Sequence, residues 1–502
     1  MTFQEILGLL PNIFTIENIL FILLGTFAGI IIGAIPGMGA TMAIALLLPV
    51  TYRMAALPSV LLLLAIYCGV SYGGSISSIL IGAPGTPSAV ATMFDGYPLM
   101  KKGNAGLALD MSLYGSAFGG FVGNILLLFI APLIARIAIA FGPTEYFALG
   151  CFGLTIIVGL NAKDMRKGLL MGIFGLLLST IGADTMSAAK RFTFGILRLS
   201  SGLDSAAIMI GAYAVVELYK KMKNPNASAA ALAGLDKNRK RLSFREFVCH
   251  WKTLIRSAVI GSFIGAMPGL GGGTASLLAY NEARKASKHP ETYGEGEIDG
   301  VCAAETANNA VCGAAMIPML TLGIPGDMVT AVLMGALIIQ GIIPGPSLFV
   351  EHAEWVYSTM LGMILVDIAM LLLGIAFIRV FAKIADVKDE VLVPIILVVC
   401  VTGLFSQSQN IYTSIILTIS SIVGYILWRN GFPVTPLIIG FVLGPIIEKN
   451  YRRALMLSGG NPNVFLTHPV CAVLLALTIG TILWPYLKKY FIHRRTKEEP
   501  VK

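Results

Sequence analysis

The residues best equipped for chemistry lie in one stretch, Glu305-Thr306-Ala307-Asn308-Asn309. The stretch sits within a largely apolar run, where an ionisable side chain is costly and marks a functional position by default. On a helix, Glu305, Asn308 and Asn309 fall at i, i+3 and i+4 and share one face, which Cys312 and Gly313 continue. A carboxylate beside two amides can coordinate Na⁺ through its oxygens, or the amides can donate to an anionic ligand. The same face also suits a polar seam between packed helices. Asp327 follows Pro325-Gly326, where a helix would restart, and reads equally as an N-cap or as a cation ligand. Thr86 and Ser88 hold the matching place after Pro84-Gly85, and an uncharged cap there leaves a helix N-terminus open to an anion. Asp367, in the middle of Ile364-Leu-Val-Asp-Ile-Ala, could pair with Arg136 or Arg379, or carry protons.

Other chemistries are disfavoured. All five histidines (250, 289, 352, 468 and 493) lie in loops or near the ends of apolar runs, which argues against a Ser–His protease or a His-ligated metal. No Walker A sequence is present, so ATP hydrolysis by this chain is not expected. Seven cysteines, with no CxxC pair, give neither a disulfide framework nor a zinc site. Cys302 and Cys312 read as small hydrophobes.

The polar residues need elements to hold them, and the chain supplies a duplicated set. Gly29-Ile-Ile-Ile-Gly33-Ala-Ile-Pro36-Gly37-Met-Gly39 returns without gaps as Gly261-Ser-Phe-Ile-Gly265-Ala-Met-Pro268-Gly269-Leu-Gly271, offset by 232 (29 to 261). Each copy is followed by a second break, Gly82-Ala-Pro84-Gly85-Thr86-Pro87 and Gly323-Ile-Pro325-Gly326-Asp327. The Gly-x-x-x-Gly step allows close helix approach in lipid, and Pro-Gly then interrupts the helix. Unwound backbone at membrane depth is tolerated only inside protein or beside a water-filled cavity, which is the pattern of a transporter.

Composition agrees. Hydrophobic residues are 56% of 502 and charged residues 13%, against about 25% charge in a soluble domain. The chain therefore reads as an all-α polytopic membrane protein with roughly a dozen apolar segments near the ~20 residues needed to span. The net charge of +9 does not signal nucleic acid, because the basic residues cluster in loops and at the tail, as the positive-inside rule requires. The first eleven residues read as a short retained helix rather than a signal peptide. Residues 1–219 form a first repeat and 220–249 a basic cytoplasmic linker. Residues 250–390 form a second repeat, and 391–502 form further spans with a basic cytoplasmic tail. Arg452 and Arg453 group with that cytoplasmic charge. The acid-bearing N-terminus is expected on the periplasmic side, which makes the two repeats inverted.

The paired breaks, the Glu305-Thr-Ala-Asn-Asn309 stretch and the chain length together resemble the large membrane subunit of the tripartite tricarboxylate transporters. The resemblance covers nearly the whole chain. It implies secondary active uptake of an organic anion, chiefly citrate-like, across the bacterial inner membrane, driven by a cation gradient. It also implies two partners, a small membrane subunit of about four spans and a periplasmic solute-binding protein. On this reading the carboxylate substrate meets Pro36, Gly37, Gly39, Ser75, Ser77, Gly85, Thr86, Pro268, Gly269, Gly271, Asn308, Asn309 and Gly326. Glu305, Thr306 and Asp327 hold the cation, a possible Na⁺, and no other cofactor is expected. A passive organic-anion channel is the alternative, and a membrane enzyme is the weaker one.

Overall fold

The computed structural model describes residues 3–35, 38–82, 84–161, 164–184, 189–216, 219, 241–384, 394, 398, 401, 405 and 410–498. Pro36, Gly37 and most of the linker lie outside the described residues. The described chain is almost wholly helical, and its one sheet is a two-stranded antiparallel pair, β1 (Gly182–Ala183) and β2 (Lys190–Arg191). After two short helices, α1 (Phe3–Leu7) and α2 (Leu10–Ile13), come α3 (Ile16–Ala34), α4 (Ala40–Thr51) and α5 (Ala56–Ile81). Then follow α6 (Val90–Lys101), α7 (Ala105–Ala138), α8 (Pro143–Asn161), α9 (Met165–Ser179) and α10 (Ser205–Met209). The second half opens with α11 (Phe244–Cys249), α12 (Trp251–Ala266), α13 (Gly271–Ala286), α14 (Ile298–Ala314), α15 (Met316–Leu322) and α16 (Met328–Ile339). It closes with α17 (Leu348–Glu351), α18 (Ala353–Ile384), α19 (Ile411–Arg429), α20 (Val434–Leu457), α21 (Val464–Thr467) and α22 (Pro469–Glu498).

Five described helices are long and apolar enough to cross a bilayer: Ile16–Ala34, Ala56–Leu80, Ala105–Ala138, Ala353–Ile378 and Ile411–Arg429. Ala40–Thr51 and Met328–Ile339 are apolar but too short to cross alone, as the breaks ahead of them dictate. α7 runs unbroken through Pro132.

The duplicated sequence becomes duplicated packing. Glycines of α3 let α5 approach to backbone contact: a Cβ on Gly29 would lie 2.6 Å from Ile66 O, and one on Gly33 2.5 Å from Val70 O. The second half repeats this with α12 on α14, where a Cβ on Gly261 would lie 2.4 Å from Ala307 O and one on Gly265 3.0 Å from Val311 Cα. The partner positions are 241 apart (66 to 307, 70 to 311). The same offset relates the left-handed glycines that close the two helices, Gly82 at φ 65° and Gly323 at φ 68°. It also relates Gly85, packed on Gly74 Cα, to Gly326, packed on Ala315 Cα.

Contacts also give helix directions. Ser71 of α5 accepts from Asn308 and Cys312, while Ser75, one turn later, lies beside Glu305, so α5 and α14 run in opposite senses. α9 and α20 run side by side in the same sense, from Lys167 at Asn430 through Gly175 at Leu437 to Asp184 at Arg452. α8 starts beside the far end of α20, with Phe147 against Tyr451 and Gly150 on Ile447. The end of α7 that precedes α8 is therefore at that far end too. Leu242, at the linker's edge, is held by Asp110 near the opposite, starting end of α7. Arg452 thus lies at the end away from the linker, contrary to its grouping with cytoplasmic charge. It is held there by Asp184.

Candidate functional site between the broken helices

A cavity of about 450 Å³ opens where the breaks of the two halves meet. The first half contributes Gly39 and the first turn of α4, Tyr67 and Ser71 of α5, and Thr86-Pro87-Ser88. The second half contributes residues 269–274 at the start of α13, Asn308 of α14, and Asp327-Met328-Val329 at the start of α16. Three helices therefore begin at one cavity. The first four N–H groups of a helix have no intrahelical partner, so each start is a donor site unless a side chain caps it. Gly39 ahead of α4 and Leu270 ahead of α13 make no side-chain cap. Asp327 does cap α16: its Oδ1 accepts from Thr330 N at 2.8 Å, and its Oδ2 accepts from Tyr67 Oη at 2.9 Å.

The backbone geometry explains the glycines. Gly269 and Gly271 sit at φ 93° and 64°, a region that side chains other than glycine rarely adopt. Gly269 N donates to Gly326 O at 2.6 Å, tying the two breaks of the second half together. Asn308 donates from Nδ2 to Ser71 O at 3.0 Å, and its Oδ1 lies where a Cβ on Gly272 would stand at 2.7 Å. Thr86 and Ser88 share a hydroxyl hydrogen bond of 2.9 Å. Among the described residues no Lys, Arg or His lines the cavity, and its ionisable side chains are Tyr67 and Asp327.

Several expected site residues lie elsewhere. Gly39, Thr86, Gly269, Gly271, Asn308 and Asp327 line the cavity; Ser75, Ser77, Gly85, Pro268, Asn309, Gly326, Glu305 and Thr306 do not. Gly85 and Gly326 support it from behind, because any Cβ there would strike backbone. Ser77 is turned onto its own helix at Gly74 O. Glu305 belongs to a second, closed cluster. It is fully buried, accepts from Thr92 Oγ1 and, at 3.0 Å, from Ser116 Oγ, and has Ser75 beside it. Ser75 is bonded in turn to Ser112 at 2.6 Å. Asn309 donates back to Glu305 O within its helix at 3.3 Å, and Thr306 faces Gly115 of α7. No cationic side chain pairs with Glu305 among the described residues. Asp367 accepts from Asn124 Nδ2 at 2.7 Å rather than from an arginine. The side chain of Arg379 lies outside the described residues.

Sequence reasoning missed Tyr67, Ser71 and the Gly272-Gly273-Thr274 helix start. A signal existed for Tyr67: the offset of 241 pairs it with Asn308 (67 to 308). It also missed Asp95, a fully buried acid of α6 whose Oδ1 accepts from Gly294, Gly296 and Glu297 N, each at 2.8 Å. The segment between α13 and α14 is anchored there.

Broken helices converging on a ligand-sized cavity, in a chain with several membrane-length apolar helices, define a multi-pass membrane transporter. Residues 19–439 match the model of the tripartite tricarboxylate transporter TctA family, and the chain belongs to that family. It is a transport component, not an enzyme, and works as part of a tripartite system. Two relatives come from Agrobacterium vitis. An uncharacterized 52.8 kDa protein in the TAR-I ttuC' 3' region is 36% identical over 466 residues, covering 93% of this chain and 92% of the relative. An uncharacterized protein in the TAR-II ttuC' 3' region is 36% identical over 223 residues, 44% of this chain and 92% of the relative. No solved structure matches the chain.

Proposed function

We propose that this chain is the membrane path for a di- or tricarboxylate of the citrate type, taken up across the bacterial inner membrane. A periplasmic binding protein delivers the anion, and a small membrane subunit of about four spans accompanies the chain. The observation that carries the substrate class is the pair of uncapped helix starts, α4 and α13, facing one cavity with no cationic side chain among its described lining residues. Each helix start acts as roughly half a positive charge with N–H groups already oriented. Such a site takes a carboxylate without a buried Lys or Arg, whose own desolvation would oppose binding. A cavity of this size lies within the usual ~300–1,000 Å³ of small-ligand sites.

The coupling cation is assigned to Glu305. A fully buried carboxylate whose described side-chain partners are all hydroxyl groups is stable when protonated or when a small cation neutralises it. Either Na⁺ or H⁺ fits that chemistry, and Asp327, at the cavity itself, is the second candidate. Opposite directions of α5 and α14 around equivalent breaks support inverted repeats, and the linker's basic charge supports a cytoplasmic linker and so a periplasmic N-terminus.

The deciding experiment is uptake of labelled citrate and related carboxylates into liposomes holding this chain and its partner subunits, with and without an inward Na⁺ or H⁺ gradient. Gradient-dependent accumulation above the outside concentration is expected. Simple equilibration would instead make the chain a passive permease.

A further inference from the structure

We propose that a second cavity, of about 400 Å³ and lined by Arg191, Lys449 and Arg452, is an outer binding site that a carboxylate anion fills before the central one. The proposal rests on the reading that carboxylates are the cargo. The cavity lies at the end of α9 and α20 away from the linker, so on that topology it faces the periplasm.

Its chemistry differs from that of the central cavity. Arg191 grips Glu448 with both terminal nitrogens, Nη1 at 2.5 Å and Nη2 at 3.2 Å. Arg452 reaches Asp184 and lies 3.6 Å from Glu448. Three cations against two carboxylates, 3 − 2, leave one positive charge in excess. That network is incomplete on its donor side. Arg191 Nε and Ser200 Oγ are both buried and have no hydrogen-bond partner among the described residues, although both residues line the cavity. Buried donors of this kind call for an acceptor. Glu448 already shows the two-point grip that a ligand carboxylate would use on a guanidinium. A substrate with two or more carboxylates can therefore place one against Arg191, where a small turn of the side chain brings its Nε and Ser200 Oγ to the cavity, and another on the exposed Lys449.

The position suits a waiting site. Gly335 of α16 lines the outer cavity, and Met328 and Val329 of the same helix line the central one, about 10 Å back along the axis. A charged outer cavity captures an anion from water by attraction at a distance, whereas helix starts act only within about one turn.

The test is equilibrium binding of labelled citrate, with labelled sulfate in parallel, to the purified full chain in detergent. Size-exclusion elution serves as the folding check. Two citrate equivalents are expected. Arg191→Gln combined with Lys449→Gln should remove one, Arg191→Lys should restore it in part, and Asn308→Ala should weaken only the other. Glu448→Gln gives a test of sign. Freed from its internal acid, Arg191 should bind outer citrate about tenfold more tightly. A purely structural ion pair predicts unchanged or weaker binding and a lower melting temperature. A single equivalent that ignores Arg191 and Lys449 overturns the outer site and leaves the central reading standing. Arg191-dependent sulfate binding without any citrate binding keeps the outer anion site and sinks the carboxylate reading. Absence of any Arg191-dependent anion overturns the proposal.

Discussion

The two repeats share a backbone and differ in what they place on it. Gly82 and Gly323 close α5 and α15 in the same left-handed conformation, and Gly85 and Gly326 pack on equivalent positions, Gly74 and Ala315. Then the copies diverge. Thr86 leaves its break without a charge, whereas Asp327 fills the equivalent place, caps α16 and takes the Tyr67 hydroxyl. The carboxylate of Glu305 has Leu64 as its counterpart (305 − 241), and Asn308 has Tyr67. Symmetry thus supplies the breaks and the close approaches. The departures from symmetry leave the first break uncharged and put Asp327 and Glu305 in the second half.

The largest effects should come from the shared frame. A Cβ on Gly85 would stand 2.1 Å from Gly33 O, and Gly269 holds φ 93°. Gly85→Ala and Gly269→Val should each cut uptake on the order of a hundredfold by displacing the helix starts, while insertion persists. Near-parental uptake by both would show that the breaks are only kinks.

Next come the differences. Thr86→Asp makes the first break resemble the second and puts a fixed carboxylate at the cavity wall. The half-saturating citrate concentration should rise about tenfold, with Thr86→Asn close to the parent. Equal behaviour of the two variants would remove Thr86 from the anion's surroundings.

Glu305→Gln keeps the shape and removes the charge. The cation concentration for half-maximal uptake should rise several-fold, about 1 kcal/mol, or transport should become independent of the gradient. An unchanged cation dependence would reduce Glu305 to packing between α6, α7 and α14.

The smallest effect lies outside both sites. His250 Nδ1 meets Asp299 at 2.8 Å, and this carboxylate raises the imidazole above its ordinary 6.5. A raised folded value means that the stabilisation is full below 6.5 and fades as pH climbs through that higher value. The loss should be about 0.5 kcal/mol for this partly exposed pair. It is read as a melting-temperature difference between pH 6 and 8 that His250→Gln abolishes. A difference that survives the substitution would assign the pH effect to another group.

Much of this architecture was already legible in the residues. Pro and Gly act through the local backbone, so the breaks ahead of α4, α13 and α16 could be placed without a neighbour in view. The ungapped repeat likewise announced two equivalent helix pairs, and apolar content announced the membrane. Local sequence also set the i, i+3, i+4 face of α14. What that face touches was not local. Glu305 turned to hydroxyls of α6 and α7, while Asn308, one turn away, turned to the cavity, because residues three apart on a helix diverge by about 60°. The partner of Asp367 proved to be Asn124, 243 residues away in sequence, and Tyr67 met Asp327 across 260. Arg452 changed ends for the same reason, since hydropathy and charge counts do not say beside which helix α20 lies. Backbone conformation is fixed by each residue and its chain neighbours. Side-chain company is fixed by which helices pack together, and only the tertiary structure decides that.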